Sequence, residues 1–441
     1  MMNIDFKKTS YATVITFGCQ QNEADSEIIR GMAAKMGYVI CDEPADCDLI
    51  VINTCAIREH AESKALSLLG RLKKFKQDNP GLVIGLVGCM AAEPHIVKLI
   101  TGNFKYVSFT LEPSRLDAFC DCVKRYLENG ERSFVIGSDR RVIAEGVPMI
   151  RSSKHKAWVS VMYGCNNFCS YCIVPYTRGR EISRASCDII EECRTLVKEG
   201  VREITLLGQN VNSYKSDMDF SDLISHVAEI EGNFTVKFMT SHPKDVSDKL
   251  IDAMAKYKGK IAPYFHLPLQ SGSSRILKKM NRTYDREHYL DVVRRLREKI
   301  PDITLSTDII VGFPTETEED FEQTLSILSE VEYDMVYSFI YSMRKGTPAA
   351  KMEGQIPLAE KKDRMKRLLA LQDNVSLRKN KRLVGSVIRV LVDSVDERGI
   401  ASARADNNKL VHFDSVEELV GSYVDVRIIR ACPYDLYAEL I

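Results

Sequence analysis

Three cysteines, Cys165, Cys169 and Cys172, stand at a Cys-x3-Cys-x2-Cys spacing just after an apolar run, residues 157–162. Thiolates this close on one loop can converge on a single soft-metal centre. Iron–sulfur clusters are usually held by four cysteines, so three leave one iron open to a substrate or cosubstrate. A zinc site would more often show paired Cys-x2-Cys units or histidine ligands, and this loop holds no fourth Cys or His. The plainer alternative is three reduced, structural thiols.

A second set is scattered along the first third of the chain. Three apolar runs with strand character (12–17, 49–53, 82–88) each end near a cysteine: Cys19, Cys55 and Cys89. Helix-like stretches (22–36, 58–76, 93–100) follow them, and this alternation predicts a parallel α/β sheet. Ligands of open α/β sheets bind outside the carboxyl ends of the strands, so the three thiols are expected to meet at one edge. They would hold either a cluster with one open iron or a mononuclear metal. Gly18 and Gly88 let the backbone turn closely around a bulky ligand. Cys41, Cys47, Cys120, Cys122, Cys187, Cys193 and Cys432 do not share that position and read as ordinary thiols.

The elements that must position the cysteine loop follow from the pattern of 150–372. Six strand candidates (158–162, 203–207, 235–239, 263–267, 304–311, 336–341) alternate with amphipathic helices, which predicts an open, partial (β/α)6 barrel. Its functional residues belong at strand C-terminal ends. There the sequence offers the cysteine loop, Gly208-Gln209-Asn210, Thr240-Ser241-His242-Pro243, Pro268-Leu269-Gln270-Ser271-Gly272 and Val311-Gly312-Phe313-Pro314. His242 and His266 lack a partner histidine at ligand spacing and read as hydrogen-bonded structural residues. A basic helix covers roughly 361–382. Short alternating strands from 384 onward predict a small β-barrel of a size that commonly binds oligonucleotides.

With 441 residues the chain is two or three domains long. The boundaries fall at 1–145, 150–372 and 375–441. Lys+Arg and Asp+Glu balance at 61 each, so net charge gives no argument about nucleic acid. From Asn380 onward eight basic residues face ten acidic ones, so any RNA contact must be a local patch: Arg404 and Lys409 on the barrel, Arg378 and Lys379 on the basic helix. Thirteen cysteines in a chain this long do not make a small disulfide scaffold. The polar start and the lack of a transmembrane-length apolar run predict a cytoplasmic protein with reduced thiols and no membrane partner.

The cysteine loop resembles that of the radical S-adenosylmethionine (SAM) superfamily. Over nearly its whole length the chain resembles the methylthiotransferases, which join an N-terminal three-cysteine domain, a radical SAM core and a C-terminal TRAM barrel. The carrying stretches are Gly18-Cys19-Gln20-Gln21-Asn22, Asn53-Thr54-Cys55-Ala56-Ile57-Arg58, 164–181 with Asn166-Asn167 and Pro175-Tyr176-Thr177-Arg178-Gly179-Arg180-Glu181, 207–214, and 266–272. The wording inside 164–181 is similar to the branch that methylthiolates isopentenyladenosine in tRNA beside the anticodon. Two residues depart from its pattern: Gln21 where Met is usual, and Thr315 where Gly is common.

The resemblance implies a transferase with two 4Fe-4S clusters and two SAM per turnover. Cys165, Cys169 and Cys172 would hold the SAM-cleaving cluster; Cys19, Cys55 and Cys89 would hold the sulfur to be inserted. Gln209, Asn210, Ser241 and Gln270 suit the amino acid end and ribose of SAM, while Val311 and Gly312 offer backbone to its adenine. Arg180 and Glu181 stand as substrate contacts or as a structural ion pair. No side-chain acid or base is needed, because the clusters carry the chemistry. The expected partners are tRNA, a one-electron reductant of flavodoxin or ferredoxin type and a sulfur donor, with the chain acting as a monomer. Alternatives are the relatives acting on threonylcarbamoyladenosine in tRNA or on an aspartate of a ribosomal protein, and a non-catalytic iron–sulfur RNA-binding or electron-transfer protein.

Overall fold

A computed structural model describes residues 9–56, 59–137 and 146–441. Arg58, the expected start of the second helix, its neighbour Ile57, and the boundary at 145 lie outside the described residues. The chain divides into two compact units. One runs to Ser152 and adds Tyr163–Asn166 and Cys172–Ile182; the other takes Ser153–Met162, Asn167–Tyr171 and Ser183–Ile441.

The first unit is a six-stranded, all-parallel sheet. Its strands are β1 (Tyr11–Phe17), β2 (Val39–Ile40), β3 (Leu49–Thr54), β4 (Val83–Gly88), β5 (Phe109–Leu111) and β6 (Ser133–Val135), in spatial order β2-β1-β3-β4-β5-β6. The helices are α1 (Gln20–Lys35), α2 (Glu59–Asp78), α3 (Pro94–Asn103) and α4 (Phe119–Asn129). Each face of the sheet carries its own core. Leu49 and Val51 pack with α1 and α4 residues such as Ile29 and Phe119, while Ile50 and Ile52 pack with Leu69, Leu72 and Ile96 of α2 and α3. Burial on both faces is why β3 and β4 read as unbroken apolar runs rather than alternating ones. The sequence reading found β1, β3 and β4. It missed β2, β5 and β6, which have two or three residues each and are too short to show a period.

The second unit opens with β7 (Lys156–Ser160); the chain then runs through β8 (Met162–Tyr163), the cysteine loop, α5 (Val174–Thr177) and β9 (Ile182–Ser183), of which Tyr163–Asn166 and Cys172–Ile182 belong to the first unit. Then come α6 (Ser186–Lys198), β10 (Glu203–Leu207), α7 (Phe220–Ala228), β11 (Thr235–Phe238), α8 (Asp248–Lys256), β12 (Tyr264–His266), α9 (Ser274–Lys279), α10 (Arg286–Lys299), β13 (Thr304–Val311), α11 (Glu318–Val331), β14 (Met335–Ile340) and α12 (Leu358–Lys381). All six expected strands are present and parallel, in two ladders, β7-β10-β11 and β12-β13-β14. Between the ladders the pairing changes sides. Val236 donates to Lys260 and accepts from Ala262, at 2.8 and 2.9 Å, whereas the next residue, Pro263, turns its carbonyl to Thr304 on the other side at 2.8 Å. Proline has no N–H to give a ladder, so the fourth strand serves β11 with its start and β13 with its end.

The C-terminal strands β15 (Val387–Val395), β16 (Ile400–Ala405), β17 (Leu410–Asp414), β18 (Tyr423–Ala431) and β19 (Asp435–Leu440) close into a barrel, β15-β16-β17-β19-β18. It caps the N-terminal ends of the parallel strands. The Tyr423 hydroxyl donates to the Arg202 carbonyl at 2.7 Å and lies 2.9 Å from Thr235 Oγ1. Arg389 donates to Asn233 Oδ1 at 2.7 Å, and Lys156 pairs with Asp393. The buried anchor is Asp334, just before β14, whose carboxylate takes Lys409 of the barrel at 2.9 Å and Lys379 of α12 at 2.7 Å.

Burial works against the charge on Asp334, but Lys409 and Lys379 outweigh it and hold the carboxyl below the usual carboxylate range. A depressed folded-state pKa adds stability above the unfolded value that is lost as pH falls through the folded one. Asp334→Ala leaves two ammonium groups facing no carboxylate and is expected to cost about 3–5 kcal/mol in denaturant unfolding near pH 7. Adding Lys409→Met should recover part of that loss, and the gap between wild type and Asp334→Ala should shrink in acid.

Candidate functional sites

The first unit brings Cys19, Cys55 and Cys89 to the carboxyl edge of its sheet. Cys19 is the N-cap of α1, with its carbonyl accepting from the Asn22 and Glu23 amides at 2.9 and 3.1 Å. Cys55 follows β3, and its amide donates to Phe17 at the end of β1 at 2.9 Å. Cys89 follows β4 after Gly88, which has φ +95°; a Cβ there would sit 2.4 Å from Asn53 Oδ1. An amide network fixes the edge. Asn53 donates to the Asn22 carbonyl and Ser26 Oγ at 2.8 and 2.9 Å, and Asn22 donates to Asn53 Oδ1 at 3.0 Å. Cys55 and Cys89 are almost fully buried.

The residue the sequence reading missed here is Arg178. It is 5% exposed, and its Nε donates to Cys89 Sγ at 3.0 Å while Nη2 donates to Asp25 at 2.8 Å. Burial opposes its charge, but Asp25 and the Cys89 and Cys19 sulfurs outweigh that and hold it cationic. Gln21, one of the two departures from the family pattern, donates to the other Asp25 oxygen at 3.3 Å. The Cys19 thiol is pushed down to about 6, first by its hydrogen bond with Cys55 and, against burial, by Arg178 and the Asn22 and Gln21 amides. Burial pushes Cys89 up. Thiolate is the ligand form of cysteine, and the edge therefore offers one activated thiol, one cation and two buried thiols. Among the described residues no three His, Cys, Asp or Glu side chains converge tightly enough to share one metal ion.

The cysteine loop is pinned along its length. Cys165 donates its amide to the Gly179 carbonyl at 3.0 Å, and Cys172 is half-buried. Glu181 accepts from the Asn166 amide at 3.0 Å and from its side chain at 3.4 Å, so its carboxylate braces the loop; Arg180 is exposed. In the second unit, Asn281 donates to the Asn167 and Phe168 carbonyls at 3.2 and 2.9 Å. Arg282, also missed, is 9% exposed. It donates to Cys169 Sγ at 3.4 Å and to the Pro268 carbonyl at 2.9 Å. Its hydrogen-bond partners are sulfur, carbonyl and the Tyr284 hydroxyl, where Arg178 has a carboxylate.

The strand tips of the second unit carry strained backbone. Phe168, Thr240, Gln270 and Thr315 all have positive φ, from +47 to +72°, a region that costs a non-glycine residue roughly 1–2 kcal/mol. Thr315, the other departure, has φ +68°, which explains why glycine suits that position. Of the expected SAM residues, Asn210 is committed elsewhere, donating to Asp245 at 2.7 Å and accepting from the His242 amide at 2.9 Å. Gln209 is half-buried. Gln270 is held by its backbone to Asp308 and Ile310 at 2.8 and 3.0 Å. Gly312 has φ +75°, and its N–H meets the Glu316 carboxylate at 3.1 Å; Val311 is buried. Ser241 Oγ and both polar atoms of the Asn212 amide are shielded from solvent with no hydrogen-bond partner in the structure. Buried polar atoms left unmet are costly, and these fit the polar end of a bound SAM. Asn212 lies in the quoted stretch 207–214, yet only its buried amide sets it apart from its neighbours.

Of the expected RNA contacts, Lys409 and Lys379 are spent on Asp334. Arg378 pairs with Glu332 at a half-exposed surface, and Arg404 donates to the Asn408 carbonyl at 3.2 Å. In iron-free protein, Cys19 should be alkylated with an apparent pKa of about 6, and Cys89 only at higher pH. Cys55→Ala removes the largest cause and should move the Cys19 titration upward, as read by iodoacetamide rates against pH with peptide mass mapping.

Three family descriptions match the chain: the Radical SAM superfamily over residues 159–328, the uncharacterized protein family UPF0004 over 11–108, and the TRAM domain over 381–441. Among solved structures, the radical SAM methyltransferase TsrM of Kitasatospora setae matches with a TM-score of 0.58 at 12% identity, covering 77% of this chain and 75% of that one. The cobalamin-dependent radical enzyme OxsB gives 0.53 at 11% identity, covering 78% and 55%. At such identities these share the fold alone. Curated proteins are much nearer. The tRNA-2-methylthio-N(6)-dimethylallyladenosine synthase of Clostridium perfringens (strain ATCC 13124) is 48% identical over 434 residues, 97% of either chain. That of Carboxydothermus hydrogenoformans is 45% identical, covering 97% of this chain and 98% of its own. That of Thermoanaerobacter sp. (strain X514) is 44% identical, covering 98% and 93%. The chain belongs to the tRNA-2-methylthio-N(6)-dimethylallyladenosine synthase family of radical SAM enzymes.

Proposed function

We propose that this chain replaces the hydrogen on carbon 2 of N(6)-dimethylallyladenosine in tRNA, beside the anticodon, with a methylthio group. The observation that carries the reading is identity of 44–48% to synthases of that name over essentially the whole chain. No side-chain base of ordinary pKa can remove that hydrogen, because the carbanion left behind is too unstable. With SAM and iron–sulfur clusters bound, the cofactors supply the one-electron chemistry, the sulfur and the methyl group. Cys165, Cys169 and Cys172 hold one 4Fe-4S cluster. Cys19, Cys55 and Cys89 hold a second; a cluster spreads its ligands over several irons and asks for less convergence than a single metal ion.

The chain's own residues bind, orient and shield. Asn281 and Glu181 hold the cysteine loop in shape. Ser241, Asn212, Gln270, Val311 and Gly312 receive SAM. Arg178 and Arg282 each donate to one cysteine sulfur, and hydrogen bonds to cluster sulfurs raise reduction potential. The target base is splayed from a single-stranded loop, where unstacking is cheap. Arg378 and Arg404 are the remaining cations of the expected RNA patch, since Lys379 and Lys409 hold the barrel. A one-electron reductant and a sulfur donor serve a cytoplasmic monomer.

Anaerobic reconstitution should give about eight irons per chain, falling to about four, the count for one 4Fe-4S cluster, in the Cys19/Cys55/Cys89→Ala variant. That variant should still cleave SAM under reduction and form no methylthio product from tRNA carrying dimethylallyladenosine. Unchanged iron would make the N-terminal thiols structural. Arg282→Met should keep its iron but show a more negative midpoint in an EPR redox titration, since it loses both a hydrogen bond to sulfur and a buried cation.

A further inference from the structure

Cys41 and Cys47, read from sequence as ordinary thiols, lie with their sulfurs 3.2 Å apart. Both turn toward the Glu43 carbonyl, Cys47 at 3.3 Å and Cys41 at 3.8 Å. Cys41 follows β2 and its amide donates to the Ala12 carbonyl at 3.0 Å; Cys47 closes the 3-10 turn Pro44–Asp46 just before β3. Ala12 is near the start of β1, whereas Cys19 lies beyond its end. Five strand residues at about 3.4 Å each put roughly 17 Å between the two levels. The pair is therefore separate from the cysteines at the carboxyl edge. A disulfide needs the sulfurs about 2.05 Å apart, so closure asks for roughly 1 Å of movement in one short loop.

We propose that Cys41 and Cys47 form a redox-active dithiol that closes reversibly to a disulfide through exchange with a small organic disulfide. Cys41 is the entry point, being half-exposed beside a cavity of about 440 Å³ lined by Thr9, Tyr11, Glu43, Asp46 and Asp48. Cys47 is 3% exposed, and burial, followed by Cys41, pushes its thiol up. Cys41 loses its proton and attacks one sulfur of the reagent, releasing one thiol and leaving a mixed disulfide. Cys47 then loses its proton, attacks the Cys41 sulfur and expels the second thiol. Two S–H bonds are lost and one S–S bond forms; the reagent takes the two electrons and two protons as two thiols. The three carboxylates at the mouth favour a cationic reagent over an anionic one. Closure ties the edge strand β2 covalently to the start of β3.

The test treats the anaerobically reconstituted full chain with cystamine or with glutathione disulfide, then traps free thiols and maps peptides by mass. A Cys41–Cys47 cross-link lighter by two hydrogens, reversed by dithiothreitol and formed with iron content unchanged, is the expected result. Cystamine should react faster than glutathione disulfide, and the difference should narrow at high salt. Cys47→Ser should instead keep the reagent half bound at Cys41. A mixed disulfide that persists in the wild type as it does in Cys47→Ser overturns the proposal, as does no reaction at Cys41.

Discussion

A buried sulfur carries charge only where something nearby compensates it, and this constraint organises the chemistry-bearing parts of the chain. Burial alone drives a thiol toward its neutral, non-ligating form, as it does at Cys89. At the sheet edge the opposing forces are the Cys55 hydrogen bond to Cys19, the Arg178 guanidinium and the first amides of α1; Asp25 keeps Arg178 from standing alone. Asn22 and Asn53 tie the start of α1 to the end of β3 beside these groups. Cys169 has a buried guanidinium beside it too, Arg282, without a carboxylate behind it. Two buried guanidiniums thus meet two sulfurs, one with a carboxylate at its other end and one without.

A second constraint acts at the opposite end of the second unit. Parallel strands start where loops leave backbone and charged side chains unpaired, and the small barrel covers those starts with Tyr423, Arg389 and Lys409. Two of its cations, Arg389 and Lys409, are consumed in that task. A small barrel of the kind that commonly binds RNA is thus built, on this face, as a structural cap.

Much of this was legible in the sequence. Strands of five residues or more announced themselves by apolar runs, and strand-end motifs located the two cysteine sets and most of the tips. What stayed hidden depends on contacts between residues far apart in the chain. Arg178 and Arg282 look like surface arginines until a sulfur is placed against them, 89 and 113 residues away. Lys379 and Lys409 read as an RNA patch because nothing in their neighbourhood reveals Asp334. Asn210 and Asn212 stand two residues apart and look equivalent. Only the fold decides that one amide is satisfied by Asp245 and the other is not. The split of the six strands into two ladders was equally invisible, although Pro263 was in view.

That split has a mechanical meaning. Where neighbouring strands share a full ladder, bending them apart breaks many hydrogen bonds together. Between β11 and the strand that becomes β12, among the described residues, the backbone bonds are the two of Val236, while one apolar core continues across the joint, with Phe238 edge-on to Phe265. The open barrel is in effect two ladders whose joint is carried by side-chain packing more than by backbone pairing. A shell of that construction owes its closure to the fit of its core, while each ladder keeps its own strand tips in register.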